Sequence, residues 1–207
     1  MSKKFLTIGL VVLLAMTCVF AYSGEIKVGF SAGAGSDNVI FTKETNSVTG
    51  IVLGGNVNGI FQYGLSDSSY VKLEVGLNTY NAAAIYVNDV KVEEYDEINL
   101  DRKPNAVFYL GYAYSFPLFS SSIIEYETSV GLQGMAGSCF TSNDFNFSLG
   151  IGVEETFIFN INNSFAITSS ARTGIQLFNT NKELVNYLSD GFRAIPVYFT
   201  LGATYSI

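Results

Sequence analysis

The sequence predicts an all-β fold: an eight-stranded antiparallel up-and-down transmembrane β-barrel preceded by a cleavable signal peptide. Three observations carry that prediction. Hydrophobic residues make up 48% of the chain and charged residues only 14%, where a soluble domain usually carries about a quarter charged residues. After residue 21, no apolar run approaches the roughly 20 residues that a membrane helix needs. Eight segments instead alternate apolar and polar residues at period two, the pattern of strands with one face in lipid.

The N-terminus is read first. Lys3 and Lys4 precede an almost unbroken apolar run from Phe5 to Phe20, and Ala21 stands ahead of the polar Tyr22-Ser23-Gly24-Glu25. A basic start, an apolar core and a small residue at the cut are the layout of a secretory signal, so residues 1–21 are the predicted signal peptide and 22–207 the barrel domain. A retained single-span anchor and a lipoprotein signal using Cys18 are the alternatives. Strand-like sequence directly after Ala21 disfavours the anchor, and the apolar Val19-Phe20 after Cys18 is unlike a polar lipoprotein tether.

Removing residues 1–21 takes away Lys3 and Lys4 and no acid, leaving 9 basic and 18 acidic residues and a net charge of −9. That balance argues against a nucleic-acid partner, which calls for clustered Lys and Arg. Cys139 is then the only cysteine, so an internal disulfide or thiolate metal site is excluded.

The strands follow in order. The first, Glu25 to Gly35, sets Ile26, Val28, Phe30, Ala32 and Ala34 against Lys27, Gly29, Ser31, Gly33 and Gly35. The second, Ile51 to Gly64, sets Ile51, Leu53, Val57, Phe61 and Tyr63 against Gly54, Asn56, Asn58 and Gln62. The third, Tyr70 to Tyr80, sets Val71, Leu73, Val75 and Leu77 against Lys72, Glu74, Gly76 and Asn78. In the fourth, Asn105 to Phe116, Phe108, Leu110, Tyr112 and Tyr114 oppose Tyr109, Gly111, Ala113 and Ser115. The fifth, Ile123 to Met135, opposes Ile124, Tyr126, Val130 and Leu132 to Glu125, Glu127, Ser129, Gly131 and Gln133. The sixth, Phe145 to Phe159, carries Glu154 and Thr156 on its polar face. Glu155 is the one charge on its apolar face, and the pattern calls for a bulge or an interfacial position there. The seventh, Phe165 to Leu177, places Arg172 on the polar face, and the eighth, Ile195 to Ile207, alternates cleanly to its last residue.

Connections alternate in length as well. Leu65–Ser69, Pro117–Ser122 and Asn160–Ser164 are short and rich in turn residues. The stretches 36–50, 81–104, 136–144 and 178–194 read as long loops. Short turns on one side and long loops on the other are the plan of an outer-membrane barrel. A lipocalin-like barrel or β-sandwich also alternates, but its water-facing side is rich in Lys, Glu and Asp. Here the polar face is mostly Gly, Ser, Asn and Thr, which suits a packed lumen.

The last eight residues, Thr200-Leu201-Gly202-Ala203-Thr204-Tyr205-Ser206-Ile207, resemble the C-terminal β-signal by which such barrels are recognised for assembly. Thr200, Gly202, Tyr205 and Ile207 carry the match, with Ile207 in place of the more usual terminal Phe. With the eight segments, the mature chain resembles the small outer-membrane proteins of the OmpX, OmpA-barrel and OmpW kind. The resemblance is architectural and transfers no functional residue. It implies export to the bacterial outer membrane, contact with outer-membrane lipid and the barrel-assembly machinery, and a structural or porin-like role with a narrow or plugged lumen. A surface-exposed adhesion protein that displays loops to a host ligand is one alternative, and a soluble periplasmic lipocalin-like binding barrel is another.

The chain has no histidine, which removes Ser-His-Asp and Cys-His nucleophile systems and histidine metal sites. No catalytic residue, cofactor or metal site is therefore expected. The chemistry-bearing set is Lys27, Lys72, Glu74, Glu125, Glu127, Glu154 and Arg172, all on the lumen face of five segments. Eight strands enclose an interior just wide enough for side chains, so charges there have to pair. The expected arrangement is an ion-pair network toward the short-turn end, with a narrow polar path or gate that could pass a small solute as the alternative. Tyr63, Tyr70, Tyr80, Phe116, Phe159, Phe165 and Tyr205, near segment ends, are expected in interfacial girdles. In the acidic stretch 81–104, Ile85-Tyr86-Val87 and Val90-Lys91-Val92 flank Asn88-Asp89 as a protruding hairpin, a possible divalent-cation or host-protein contact. Leu184, Tyr187 and Leu188 have the spacing of one helical turn.

Overall fold

Lipid offers no hydrogen-bond partner to a peptide group, so a membrane domain made of strands is stable only when its sheet closes on itself. The computed structural model, which describes residues 24–43, 46–87, 90–94, 104–118, 123–139, 142–180 and 193–207, closes by pairing its first and last strands. The strands are β1 (Ile26–Lys43), β2 (Asn46–Ser66), β3 (Ser69–Val87), β4 (Val90–Glu94), β5 (Asn105–Pro117), β6 (Ile124–Cys139), β7 (Ser142–Asn160), β8 (Phe165–Asn179) and β9 (Arg193–Ser206). Eight of them form an antiparallel ring, β1-β2-β3-β5-β6-β7-β8-β9, sealed by the β1–β9 ladder from Lys27↔Ser206 to Ile40↔Arg193. The ninth, β4, pairs only with the outer end of β3, from Val87↔Val90 to Ala84↔Glu94. It completes the hairpin expected around residues 88–89.

Each predicted segment falls on one barrel strand, but two of the long connections are largely strand. β1 and β2 continue past the predicted loop 36–50 until Lys43 faces Asn46, and β6 and β7 continue until Cys139 faces Ser142. The reason is physical. Beyond the lipid, an antiparallel ladder needs no apolar outer face, so the period-two signal fades while the backbone pairing persists. The signal peptide over 1–21 and the helical turn at Leu184, Tyr187 and Leu188 lie outside the described residues.

Alternation sends large apolar side chains out and polar ones in. Phe30 is 63% exposed, Phe199 63% and Leu201 67%, while Lys72, Glu127 and Glu154 are each at or below 2%. A soluble barrel would reverse this.

The lumen wall is thinned along one row of cross-strand neighbours. Gly111, Gly131, Gly152 and Gly174 pair in succession across β5, β6, β7 and β8. A Cβ on Gly111 would come within 2.8 Å of the Tyr109 ring, and one on Gly152 within 2.6 Å of the Gln133 amide. The missing side chains are what let Tyr109 and Gln133 lie across the wall.

One expectation is narrowed and one is corrected. Glu155 sits in unbroken register, Thr128↔Glu155↔Ala171, with no bulge, which leaves the interfacial position of the two alternatives. The Thr128 hydroxyl donates to its carboxylate at 3.0 Å instead. Of the expected girdle, Phe116, Phe159, Phe165 and Tyr205 are outward and exposed, but Tyr63 and Tyr70 are buried. Tyr63 is covered at the strand end, where its hydroxyl accepts from the Gly24 amide at 3.4 Å, and Tyr70 bonds to a lumen lysine. Near the short-turn ends of β5, β6 and β7, Phe116, Tyr126 and Phe157 are in successive ring contact at 5.5 and 5.3 Å.

Gly131→Val places a side chain against the Leu110 carbonyl and the Gly111 backbone, neither of which can swing aside. It is expected to lower unfolding free energy by about 1–3 kcal/mol, as overpacking does, measured by urea titration of the lipid-reconstituted protein. Glu155→Leu should act oppositely and raise it by about 1 kcal/mol, because an acid on the lipid face costs somewhat less than a lysine or arginine.

Candidate functional site

The strands β3, β6, β7 and β8 each send a charge inward at nearly the same depth. Lys72 on β3 stands among three carboxylates. Its Nζ lies 3.1 Å from Glu127 and 3.4 Å from Glu74, and it also bonds to Glu154. Arg172 on β8 faces Glu154 in register, donates from Nε to Glu154 at 2.7 Å, and through Nη2 bonds to both Glu154 and Glu74. Its guanidinium carbon lies 4.3 Å from the centre of the Tyr109 ring.

The remaining lone pairs are taken up by neutral groups. The Gln62 amide donates to both oxygens of Glu127, at 3.1 and 3.0 Å, and Thr156 donates to Glu154 at 3.4 Å. Tyr109 and Ser129 hydroxyls share a 2.8 Å hydrogen bond beneath the guanidinium. Charges so fully desolvated are tolerated only when each is paired and hydrogen-bonded, and this cluster meets that condition with groups from six strands.

Of the seven lumen charges singled out in the sequence, Lys72, Glu74, Glu127, Glu154 and Arg172 come together in this cluster. Lys27 and Glu125 stand apart, nearer the short turns. Lys27 lies 3.6 Å from Glu25, donates to the Tyr70 hydroxyl at 3.3 Å and sits 4.5 Å from the Tyr70 ring centre. Glu125 accepts from Ser115 at 2.9 Å and from Asn160 at 2.7 Å. Both line a cavity of about 580 Å³ that has Lys72 and Glu127 in its wall. Gln62 and Tyr109 are working members that the charge pattern missed. Their inward parity was the available signal.

On the other side of the cluster the lumen carries a row of amides. Asn56, Asn78 and Asn105 occupy one row of β2, β3 and β5, Asn56↔Asn78↔Asn105. All three are buried, and Asn105 is 1% exposed. Asn78 donates across the lumen to the Tyr198 hydroxyl at 3.3 Å. Asn56 Oδ1 and both amide atoms of Asn105 have no hydrogen-bond partner, and an unsatisfied buried group costs about 1–3 kcal/mol.

Thr200, Gly202, Tyr205 and Ile207 lie on and just beyond β9. Tyr205 and Ile207 are outward and exposed, and the Ile207 amide donates to the Ile26 carbonyl at 2.8 Å, stitching the end of β9 to β1.

Lys72→Met leaves three buried carboxylates with Arg172 as their only cation. Stability is expected to fall by about 3–5 kcal/mol, the cost of breaking a buried pair on one side. Lys72→Met with Glu127→Gln should lose less than the two single changes summed. Urea unfolding followed by tyrosine fluorescence checks both, and additive losses would show that the two groups are not coupled.

No protein-family model matches the chain, and no curated protein does. Solved structures do. Neisserial surface protein A (NspA) shares 9% identity at a TM-score of 0.52, over 86% of this chain and 96% of that one. Ail, the attachment invasion locus protein of Yersinia pestis, shares 13% identity at 0.48, over 88% and 99%. The N-terminal β-barrel domain of Pseudomonas aeruginosa OprF shares 12% at 0.45, over 89% and 99%. At these identities the likeness is one of fold. The chain has the fold of the small eight-stranded outer-membrane β-barrels.

Proposed function

We propose that this protein is a structural barrel of the bacterial outer membrane, sealed across its lumen, that anchors a sheet projecting from the membrane surface. The observation that carries the reading is the cluster of Lys72, Arg172, Glu74, Glu127 and Glu154, contacted across the interior with every member nearly buried. The cavity of about 580 Å³ on the short-turn side has Lys72 and Glu127 in its wall, and in an interior this narrow the cross-bonded charges supply the seal in this reading.

Strand length supports the second half. About 9–11 residues cross a membrane, whereas β1, β2 and β3 have 18, 21 and 19. Roughly half of each would stand outside the lipid, on the side of the β3–β4 hairpin. The lipid it contacts, the assembly machinery it uses and a surface ligand for the projecting sheet belong to this same reading. A catalytic role has little to work with in a chain without histidine.

Two measurements test it. The protein should fractionate with the outer membrane and migrate heat-modifiably in gels. Reconstituted in planar bilayers it should stay electrically silent, and steady single-channel openings of the unaltered protein would overturn the sealed lumen.

A further inference from the structure

The cavity of about 580 Å³ between the ion cluster and the short turns has no part in a sealed, structural barrel. Two opposite charges stand in its wall with bonding capacity to spare. Lys27 is on β1 and Glu125 on β6, four places apart in a ring of eight strands, so they come from opposite walls. They do not pair with each other. Among the described residues Lys27 donates only to the Tyr70 hydroxyl, and its one ion pair, to the exposed Glu25, is a loose 3.6 Å. Glu125 is held by Ser115 and Asn160, both neutral, with no cation at ion-pair distance among the described residues. An ammonium has three donors and an ionised carboxylate about four acceptor positions, so both groups can bind more. A second pair in the same wall is apolar. Ile60 on β2 and Ile158 on β7 are again four places apart, and they are the buried isoleucines among the described residues, at 7% and 6% exposure. Ile158 neighbours Glu125 in register. Aliphatic side chains inside a polar lumen contribute nothing to the ion cluster.

We propose that this cavity binds a small apolar α-amino acid, with its ammonium on Glu125, its carboxylate on Lys27 and its side chain against Ile60 and Ile158. The charge pattern selects the class. A zwitterion answers both walls at once, whereas a dication would set positive charge against Lys27 and a monoanion negative charge against Glu125. A metal ion finds no group of three carboxylates to hold it among the described residues. A sugar would meet the two charges only with neutral hydroxyls and would press polar surface on the isoleucines. The size is adequate, since about 580 Å³ lies within the roughly 300–1,000 Å³ of small-molecule sites. The exposed turn residues Asn162 and Asn163 are part of the wall, so the cavity is approached from the short-turn side. Lys27 and Glu125 are outside the ion cluster, and the site requires only that the barrel close as described.

The probe is L-leucine, with isoamylamine and 4-methylpentanoate as controls that keep the apolar chain and one charge each. The protein, reconstituted in lipid nanodiscs, is followed through the methyl signals of Ile60 and Ile158 by NMR. Leucine should shift both signals along a saturable curve, and each control should bind about tenfold more weakly or worse, as loss of one charge-assisted contact implies. Lys27→Met and Glu125→Gln should each weaken leucine by a similar factor. Asp67→Asn, a neutralised acid at the rim, should leave its binding unchanged. Heat-modifiable migration of every sample reports the fold separately, and the two control ligands test the site on the unaltered protein should a variant not fold. Isoamylamine binding as well as leucine, or Asp67→Asn weakening leucine as much as Glu125→Gln does, would reduce the site to a general attraction for cations and overturn the proposal. Shifts that grow linearly and equally with all three probes, or a leucine response untouched in both Lys27→Met and Glu125→Gln, would overturn it as well.

Discussion

Every amide between the two lipid interfaces has to be bonded within the chain, and closure of the ring through the β1–β9 ladder is what satisfies that requirement. Much else follows from it. A closed ring fixes which residue parity meets lipid, so a Phe30 or Leu201 is forced out and a Lys72 or Glu154 forced in. A ring of eight strands also fixes the bore, and a narrow bore makes the lumen a packing problem. The glycine row across β5 to β8 answers that problem, since Tyr109 and Gln133 occupy the volume that side chains at Gly111, Gly152 and Gly174 would otherwise fill.

The lumen could have been packed with apolar side chains, and for stability alone that is often the better choice. Three carboxylates and two cations instead meet there, one negative charge in excess, with the Gln62 amide donating to Glu127 where a third cation would stand. What such an arrangement adds is selectivity of register. Slipping β3 by one residue would turn Lys72 and Glu74 toward lipid and leave Glu127, Glu154 and Arg172 short of partners, so the misaligned barrel is penalised by charge as well as by hydrophobicity. Because the cluster draws on β3, β6, β7 and β8, it ties the register of half the ring together.

The alternation of the strands within lipid was legible residue by residue. In β5, Tyr109, Ala113 and Ser115 are buried and Tyr112 and Tyr114 exposed, as the period predicts. The limits were physical too. Period two reports a strand with unlike surroundings on its two faces, and from Ser36 to Gly50 β1 and β2 pair through their backbones without that alternation in sequence, so the stretch read as loop. Tyr63 and Tyr70 read as girdle because aromatic residues at strand ends serve either interface or lumen, and parity alone cannot rank covering a strand end above facing lipid. Charge identified Lys72, Glu74, Glu127, Glu154 and Arg172 as lumen residues, yet their convergence required the shear of the ring. Asn105 was invisible as an orphan, because a sequence shows a polar residue without showing that its partners are missing.

The two halves of these strands obey different rules, and that bears on how the protein could diverge. Near the short turns, lumen charge, lipid contact and ring closure constrain almost every position, and a change at one member of the cluster is felt on three other strands. Beyond the lipid only backbone pairing is required, and pairing constrains residue identity weakly. A fold shared with NspA at 9% identity accords with such a division, since the ring is specified by parity and closure while particular residues are free to differ. The asparagine row stands at the boundary between the two regimes, still inside the closed ring but above the last charge that the cluster needs. It is the place where unsatisfied polar groups can persist without unseating the ladder that holds the barrel shut.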